Sequence, residues 1–253
     1  MSFFSAFAIS TLIIYVLPQI NKDISLNKRF TRLESLNHPL LLKLSTGAPG
    51  SYHHSVNVAN LSHQAAKSVG ANAALVRIAS YYHDIGKIVY PETYIENQNS
   101  RRLTNKTLGQ INRTAKIIIN HALLGKKIAE EYGLPDEIIQ IISEHHGNTH
   151  AKFLYDQSKE LGSLNIKNFR YPGPKPQTAE SLIVMLADCV EAAAKAERDM
   201  NKSNIEHLVD SIIRDKINEK QFSNINFSSS DYQKVRNSFV KTLSSIYHQR
   251  IIG

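Results

Sequence analysis

A chain of 253 residues with only 11 glycines and 8 prolines, 42% apolar and 21% charged, can bury one sizeable core, which excludes a fibrous or low-complexity protein. Thirty basic residues against 22 acidic leave a net charge of +8, which suits a phosphate-bearing ligand or an anionic membrane surface without choosing between them. Cys189 is the single cysteine, so a disulfide framework is excluded and a reducing compartment is expected.

Residues Phe3 to Leu17 form an uncharged, largely apolar run closed by Pro18, shorter than the about 20 residues that a complete bilayer span needs. No basic residue precedes the run, as a signal peptide would require, whereas Lys22, Lys28, Arg29 and Arg32 follow it, a flank expected on the cytoplasmic side. Residues 1–20 therefore read as a partial membrane helix, against the alternative of a buried or partner-bound amphipathic start. The protein is expected at the cytoplasmic face of the cell membrane, or in the cytoplasm where the run does not insert. Residues 21–50 read as a connector: irregular apolar spacing from Ile24 to Leu44, a break at Asn37, His38 and Pro39, and a loop signal from Thr46 to Ser51 supplied by Gly47, Pro49 and Gly50. The main domain is placed at 51–253.

Ser51 is expected to cap a helix running to about Val69, in which His54, Val58, Leu61 and Ala65 share one face. A single inward histidine is more often a hydrogen-bonded core residue than a ligand, and His53 and His63 lie off the stripe. Gly70 ends this helix and Asn72 caps the next, where Leu75, Ala79 and His83 recur at a spacing of four and Asp84 turns towards the edge. Gly86 suits a residue just past a helix end. From Val89 to Thr107 the pattern breaks at Pro91, the asparagines and Arg101-Arg102, an irregular excursion.

A helix from about Asn112 to Tyr132 carries Ile117, Ile118, His121, Leu124 and Ile128 on one stripe, and Gly133 terminates it. Pro135 at the first helical position, with Asp136 and Glu137, starts another that holds Ile138, Ile141, Ile142, His145 and His146 and stops at Gly147. Ala179 begins a helix of mostly apolar residues that includes Asp188. A buried ionised carboxylate without a partner costs several kcal/mol, so Asp188 has to be exposed, paired with a cation or bound to metal. Ser203 to Ile252 alternates helical patterns with a polar turn near Phe222 to Ser230. The periodicity throughout predicts an all-α fold with no sheet of more than two short strands.

Five histidines and two aspartates on inward helix faces are ligands that suit iron, manganese or zinc rather than calcium or magnesium. They exceed the need of one tetrahedral ion and match two ions sharing a carboxylate. Two such ions can activate a shared hydroxide and clamp a phosphate, so hydrolysis of a phosphate ester or diester is expected.

The order His54, His83-Asp84, His121, His145-His146, Asp188 resembles the HD superfamily of metal-dependent phosphohydrolases. More narrowly, "APGSYHHS", "YYHDIGK", "IENQ", "EHHG", "FRYPGPKPQT" and "IVMLADCVEAA" resemble the cytoplasmic domain of the seven-transmembrane HD family, the PgpH-type cyclic-di-AMP phosphodiesterases, from about Pro18 to Arg250. The resemblance implies an HD-domain helical bundle with a dinuclear site of two divalent transition-metal ions, iron or manganese. It implies one ion on His54, His83, Asp84 and Asp188 and a second on Asp84, His121, His145 and His146. Asp84 and Lys87 would be catalytic, and Lys87, Asn97 and Tyr171 would meet the substrate. The implied reaction is hydrolysis of cyclic-di-AMP to linear pApA in second-messenger turnover.

Two departures stand out. The family's extracellular domain and most of its membrane helices are absent, so residues 1–17 resemble only the last span and the chain reads as a fragment or a shortened form. The stretch after "IENQ" carries Arg101, Arg102 and Lys106, unlike the family pattern, which bears on substrate fit. Three other readings stay open. One is cyclic-di-GMP hydrolysis, whose enzymes carry a Gly-Tyr-Pro element not found in "HHGNTHAKFLYDQ"; the others are hydrolysis of a mononucleotide and a silent cyclic-dinucleotide-binding regulatory module, which a lost ligand would favour. The expected partners are a cyclic dinucleotide and the membrane, with a homo-oligomer left open. No nucleic acid is expected, because only net charge speaks for one.

Overall fold

Ala48 alone separates the first two helices of the main unit, α1 (Pro39–Gly47) and α2 (Pro49–Val69). The loop expected from Thr46 to Ser51 is thereby reduced to one residue, because Pro49 is accepted in a first helical turn, where its missing N–H costs nothing. Ser51 sits inside α2 and does not cap it. The computed structural model describes residues 30–98, 107–163, 165–197 and 200–251. The apolar run Phe3–Leu17, Arg101, Arg102 and Lys106 lie outside the described residues. Residues up to His38 form a separate unit; within it, 30–34 are helical and His38 N–H donates to Ser35 O at 2.9 Å.

The central helix α2 buries Ser51, His54, Ser55, Val58, Ala59, Leu61, Ser62, Ala65 and Ala66, mostly small side chains that let α3 (Ala73–Tyr82), α7 (Ala179–Ala196) and α9 (Ser229–Ile251) pack against it. Gly70 closes α2 with φ +74°, and the amide of Ala71 reaches back to Ala66 O at 3.0 Å. As expected, Asn72 caps α3, accepting from Leu75 N at 3.1 Å. Within α7, the stretch Leu182 to Ala187 and Val190 are fully buried, so the middle of this helix lies inside the bundle.

Between them come α4 (Leu108–Glu131), α5 (Asp136–Glu144) and α6 (Lys152–Glu160), and α8 (Lys202–Asn218) precedes α9. The start of α4 lies four residues before the expected Asn112, because Thr107 and Gln110 form a reciprocal capping box. Pro135 stands just outside α5, which ends at Glu144, so the histidine doublet occupies the turn that follows and not the helix itself. After His83 come three short 3-10 turns, Ile85–Val89, Pro91–Thr93 and Ile95–Asn97, the last two within the described part of the excursion expected from Val89 to Thr107. Among the described residues there is no strand, only an isolated bridge between His150 and Arg170, and no helix is long and apolar enough to cross a membrane.

Candidate metal centre

Two helix ends and three helix interiors converge on Asp84, which is 1% exposed. His54 comes from α2, His83 from the end of α3, His121 from α4, His145 and His146 from the turn after α5, and Asp188 from α7. His54, His83, His121, His145 and Asp188 are all buried, and the structure brings the seven metal-type residues expected from sequence into one cluster.

The carboxylate of Asp84 faces two ways. Its Oδ1 lies 3.2 Å from His121 Nε2 and 3.8 Å from His145 Nε2, while its Oδ2 lies 3.3 Å from His83 Nε2 and 3.6 Å from His54 Nε2. Asp188 adds a second carboxylate, 2.9 Å from His54 Nε2, 3.9 Å from His83 Nε2 and 3.6 Å from His146 Nδ1. Donor atoms about 3 Å apart are what a metal–nitrogen bond of about 2.1 Å gives for ligands at right angles.

The imidazoles are oriented by their own backbone. His83 Nδ1 lies 2.7 Å from Ser80 O, His121 Nδ1 2.6 Å from Ile118 O and His145 Nδ1 2.7 Å from Ile142 O, each three residues back. With Nδ1 held on a backbone carbonyl, each of these three rings turns its Nε2 into the cluster. His121 Nε2 then meets His145 Nε2 at 3.1 Å and His146 Nε2 at 3.2 Å, nitrogen–nitrogen spacings that suit ligands of one shared cation. His83 Nε2 and both oxygens of Asp84 are buried without a hydrogen bond of acceptable angle, although Lys87 Nζ stands 2.7 Å from Asp84 Oδ2. These orphaned donor atoms, all of types that bind transition metals, fit divalent ions.

The electrostatics of His145, His146 and Asp84 agree. Burial first, then His83 and His121, push His145 down to about 3, and burial with His145 holds His146 well below its ordinary value, so both stay neutral and able to ligate. Burial would raise Asp84, yet the neighbouring His83 and Lys87 keep it well below the usual carboxylate range. At His54 burial works against the charge, but hydrogen bonds to Asp188 and Glu191 outweigh it and raise the pKa to about 10.

Gly86 makes the convergence sterically feasible. A Cβ there would stand 1.9 Å from His121 O and 2.6 Å from Gly125 N, so only glycine lets the turn carrying Asp84 lie against α4. Gly86 is not in the left-handed conformation common just past a helix end; the residue is required for close approach instead.

A cleft of about 610 Å3 opens over the cluster, lined among others by Lys87, Tyr94, Ile118, Tyr171 and Lys195. Lys87 is clamped between Asp84 and Glu96 Oε1 (2.9 Å) and lies over the Tyr94 ring, and the two carboxylates keep it charged despite burial. Tyr171 stacks on His146 with ring centres 4.1 Å apart, and burial raises its hydroxyl pKa so that it remains a donor. Asn97 does not line the cleft. Its Oδ1 accepts from Ser51 N at 3.0 Å and its Nδ2 donates to Ser51 Oγ at 3.0 Å, so it caps the first turn of α2, which Ala48 cannot. Asn97→Ala is therefore expected to lower stability by about 1 to 2 kcal/mol, read as a lower urea midpoint, with metal content unchanged.

Sequence reasoning gave no role to Glu191, Glu96, Tyr94 or Glu144. Glu191 bonds His54 Nδ1, and its spacing of three from Asp188 was the available signal. Glu144 accepts from Gln177 N at 3.0 Å and so ties the 171–178 loop to the helix end beside His145. A larger groove, about 760 Å3, runs along α4 between Arg113 and Glu130, but its lining includes no histidine and a single carboxylate.

A family model for the HD domain matches residues 51–193. The chain belongs to the HD domain family. The cyclic-di-AMP phosphodiesterase PgpH of Bacillus subtilis (strain 168) is 41% identical over 251 residues, covering 98% of this chain and 35% of that protein. A crystal structure of the Listeria monocytogenes phosphodiesterase PgpH HD domain superposes with a TM-score of 0.79 at 38% identity, covering 84% of this chain and all of that one. The same domain in complex with cyclic-di-AMP gives a TM-score of 0.78 at 39% identity over 83% and 98% of the two chains. The all-helical bundle is thus the HD-domain fold, and the chain spans about a third of the length of the curated relatives it matches.

Proposed function

We propose that this HD domain hydrolyses cyclic-di-AMP to linear pApA with two divalent transition-metal ions, iron or manganese. The observation that carries the reading is Asp84, fully buried, with one oxygen towards His121 and His145 and the other towards His54 and His83. One ion is assigned to His54, His83, Asp84 and Asp188, the other to Asp84, His121, His145 and His146. When bound, such ions activate water and neutralise charge on a phosphodiester. The substrate assignment is supported by the 39% identity to an HD domain solved with cyclic-di-AMP.

The chain's own residues do the rest. Asp84 and the carbonyl-oriented imidazoles fix the donor atoms before ligand arrives, so little reorganisation is needed. Lys87 holds Asp84 in place and keeps its proton, presenting positive charge to a phosphate at the cleft wall. Tyr171 offers a phenolic proton at Oη, and with Tyr94 and Ile118 it gives aromatic and apolar walls that suit a nucleobase. The run Phe3–Leu17 is assigned to the membrane, which places this domain at its cytoplasmic face.

Full-length chain loaded with manganese or iron should convert cyclic-di-AMP to pApA, seen by chromatography, and lose that activity on chelation. Cleavage of cyclic-di-GMP or a mononucleotide with cyclic-di-AMP left intact would overturn the substrate and leave only the hydrolase class.

A further inference from the structure

His83, His121 and His145 rest their Nδ1 atoms on neutral backbone carbonyls, but His54 does not. Its Nδ1 meets a carboxylate oxygen of Glu191, which is 6% exposed and whose other oxygen accepts from Asn57 Nδ2 at 2.9 Å. His54 and Asn57 stand three apart on α2, Asp188 and Glu191 three apart on α7, so each pair occupies one face of its helix. The two faces meet as a ladder, with Asp188 on His54 Nε2 at 2.9 Å and Glu191 on both His54 and Asn57. Asn57 leaves Glu191 one orientation, and Glu191 leaves His54 one.

We infer that Glu191 is a positioning residue for the ion held through His54, and that it makes the two metal positions unequal. An ionised acceptor on the far ring nitrogen strengthens the ligating nitrogen more than a neutral carbonyl does, because the bond is charge-assisted. The position formed by His54, His83, Asp84 and Asp188 has two carboxylates and Glu191 behind them. The position formed by Asp84, His121, His145 and His146 has the shared Asp84, and the carboxylate nearest a far ring nitrogen there, Asp188 at His146 Nδ1, stands 3.6 Å away, beyond a hydrogen bond. The first therefore keeps its ion when the second has exchanged. This inference rests on the two-ion reading above, but it concerns binding and needs no substrate.

Manganese titration of the full chain, followed by calorimetry and by the electron paramagnetic resonance of free manganese, should give two distinct constants. Glu191→Gln keeps the shape and removes the charge; it should weaken the tighter constant by roughly 10- to 100-fold and leave the weaker within about twofold. Asn57→Ala, which only frees Glu191, should give a smaller loss at the same ion and carries the test if Glu191→Gln does not fold. Equal constants in the wild-type chain, equal losses at both positions, or no change in either variant would overturn the inference. Because no turnover enters these measurements, an inactive chain that passes them defeats the phosphodiesterase reading alone.

Discussion

Asp84→Ala should release both metal ions and lower turnover of cyclic-di-AMP by roughly a thousandfold or more, since one side chain is asked to serve two positions and their common phosphate geometry. The argument is geometric: Oδ1 addresses His121 and His145 and Oδ2 addresses His54 and His83, whereas Asp188 lies 2.9 Å from His54 Nε2 and no nearer than 3.6 Å to His146 Nδ1. Folding should survive, because Lys87, which loses one partner, keeps Glu96 Oε1 at 2.9 Å. His54→Ala, by contrast, should weaken mainly one ion. Elemental analysis beside circular dichroism separates the cases: a folded Asp84→Ala chain that still carries two ions sinks the bridging role.

Gly86→Ala should be severely damaging, although it adds only a single methyl. That methyl would sit 1.9 Å from His121 O, and a backbone oxygen of a packed helix cannot rotate away as a side chain can. Either α4 or the turn after His83 has to shift, at an expected cost of about 3 kcal/mol or more. The shift moves His83 and Asp84 away from His121, so metal uptake should fall together with the melting temperature. Wild-type melting and metal content in this variant would show that the close approach is not required.

The ligands were legible because each is set in a helical stripe: His54 with Val58, Leu61 and Ala65, His121 among isoleucines, Asp188 inside an apolar helix that leaves a carboxylate nowhere else to go. The start of α2 was not legible. Its cap, Asn97, lies 46 residues from Ser51, and local sequence holds no trace of a partner supplied from such a distance. Asn97 was expected at the substrate only from the resemblance that includes "IENQ". The Thr107 and Gln110 box was readable by spacing, yet the polar stretch before it masked the helix start. The stack of Tyr171 on His146 and the hold of Glu191 on His54 both cross between elements, so only the folded chain reveals them.

The Nδ1 bonds of His83 and His145 have a second consequence. Each histidine is the residue that ends its helix, and each donates to a carbonyl of that helix's last turn, one of the groups left without an intrahelical donor. The proton that fixes the ligand's tautomer is therefore also a helix stop signal, and these two side chains have a structural duty even when no metal is present. Replacing either one frays α3 or α5 as well as removing a ligand. Drift at these positions is thus opposed twice over, once by chemistry and once by folding.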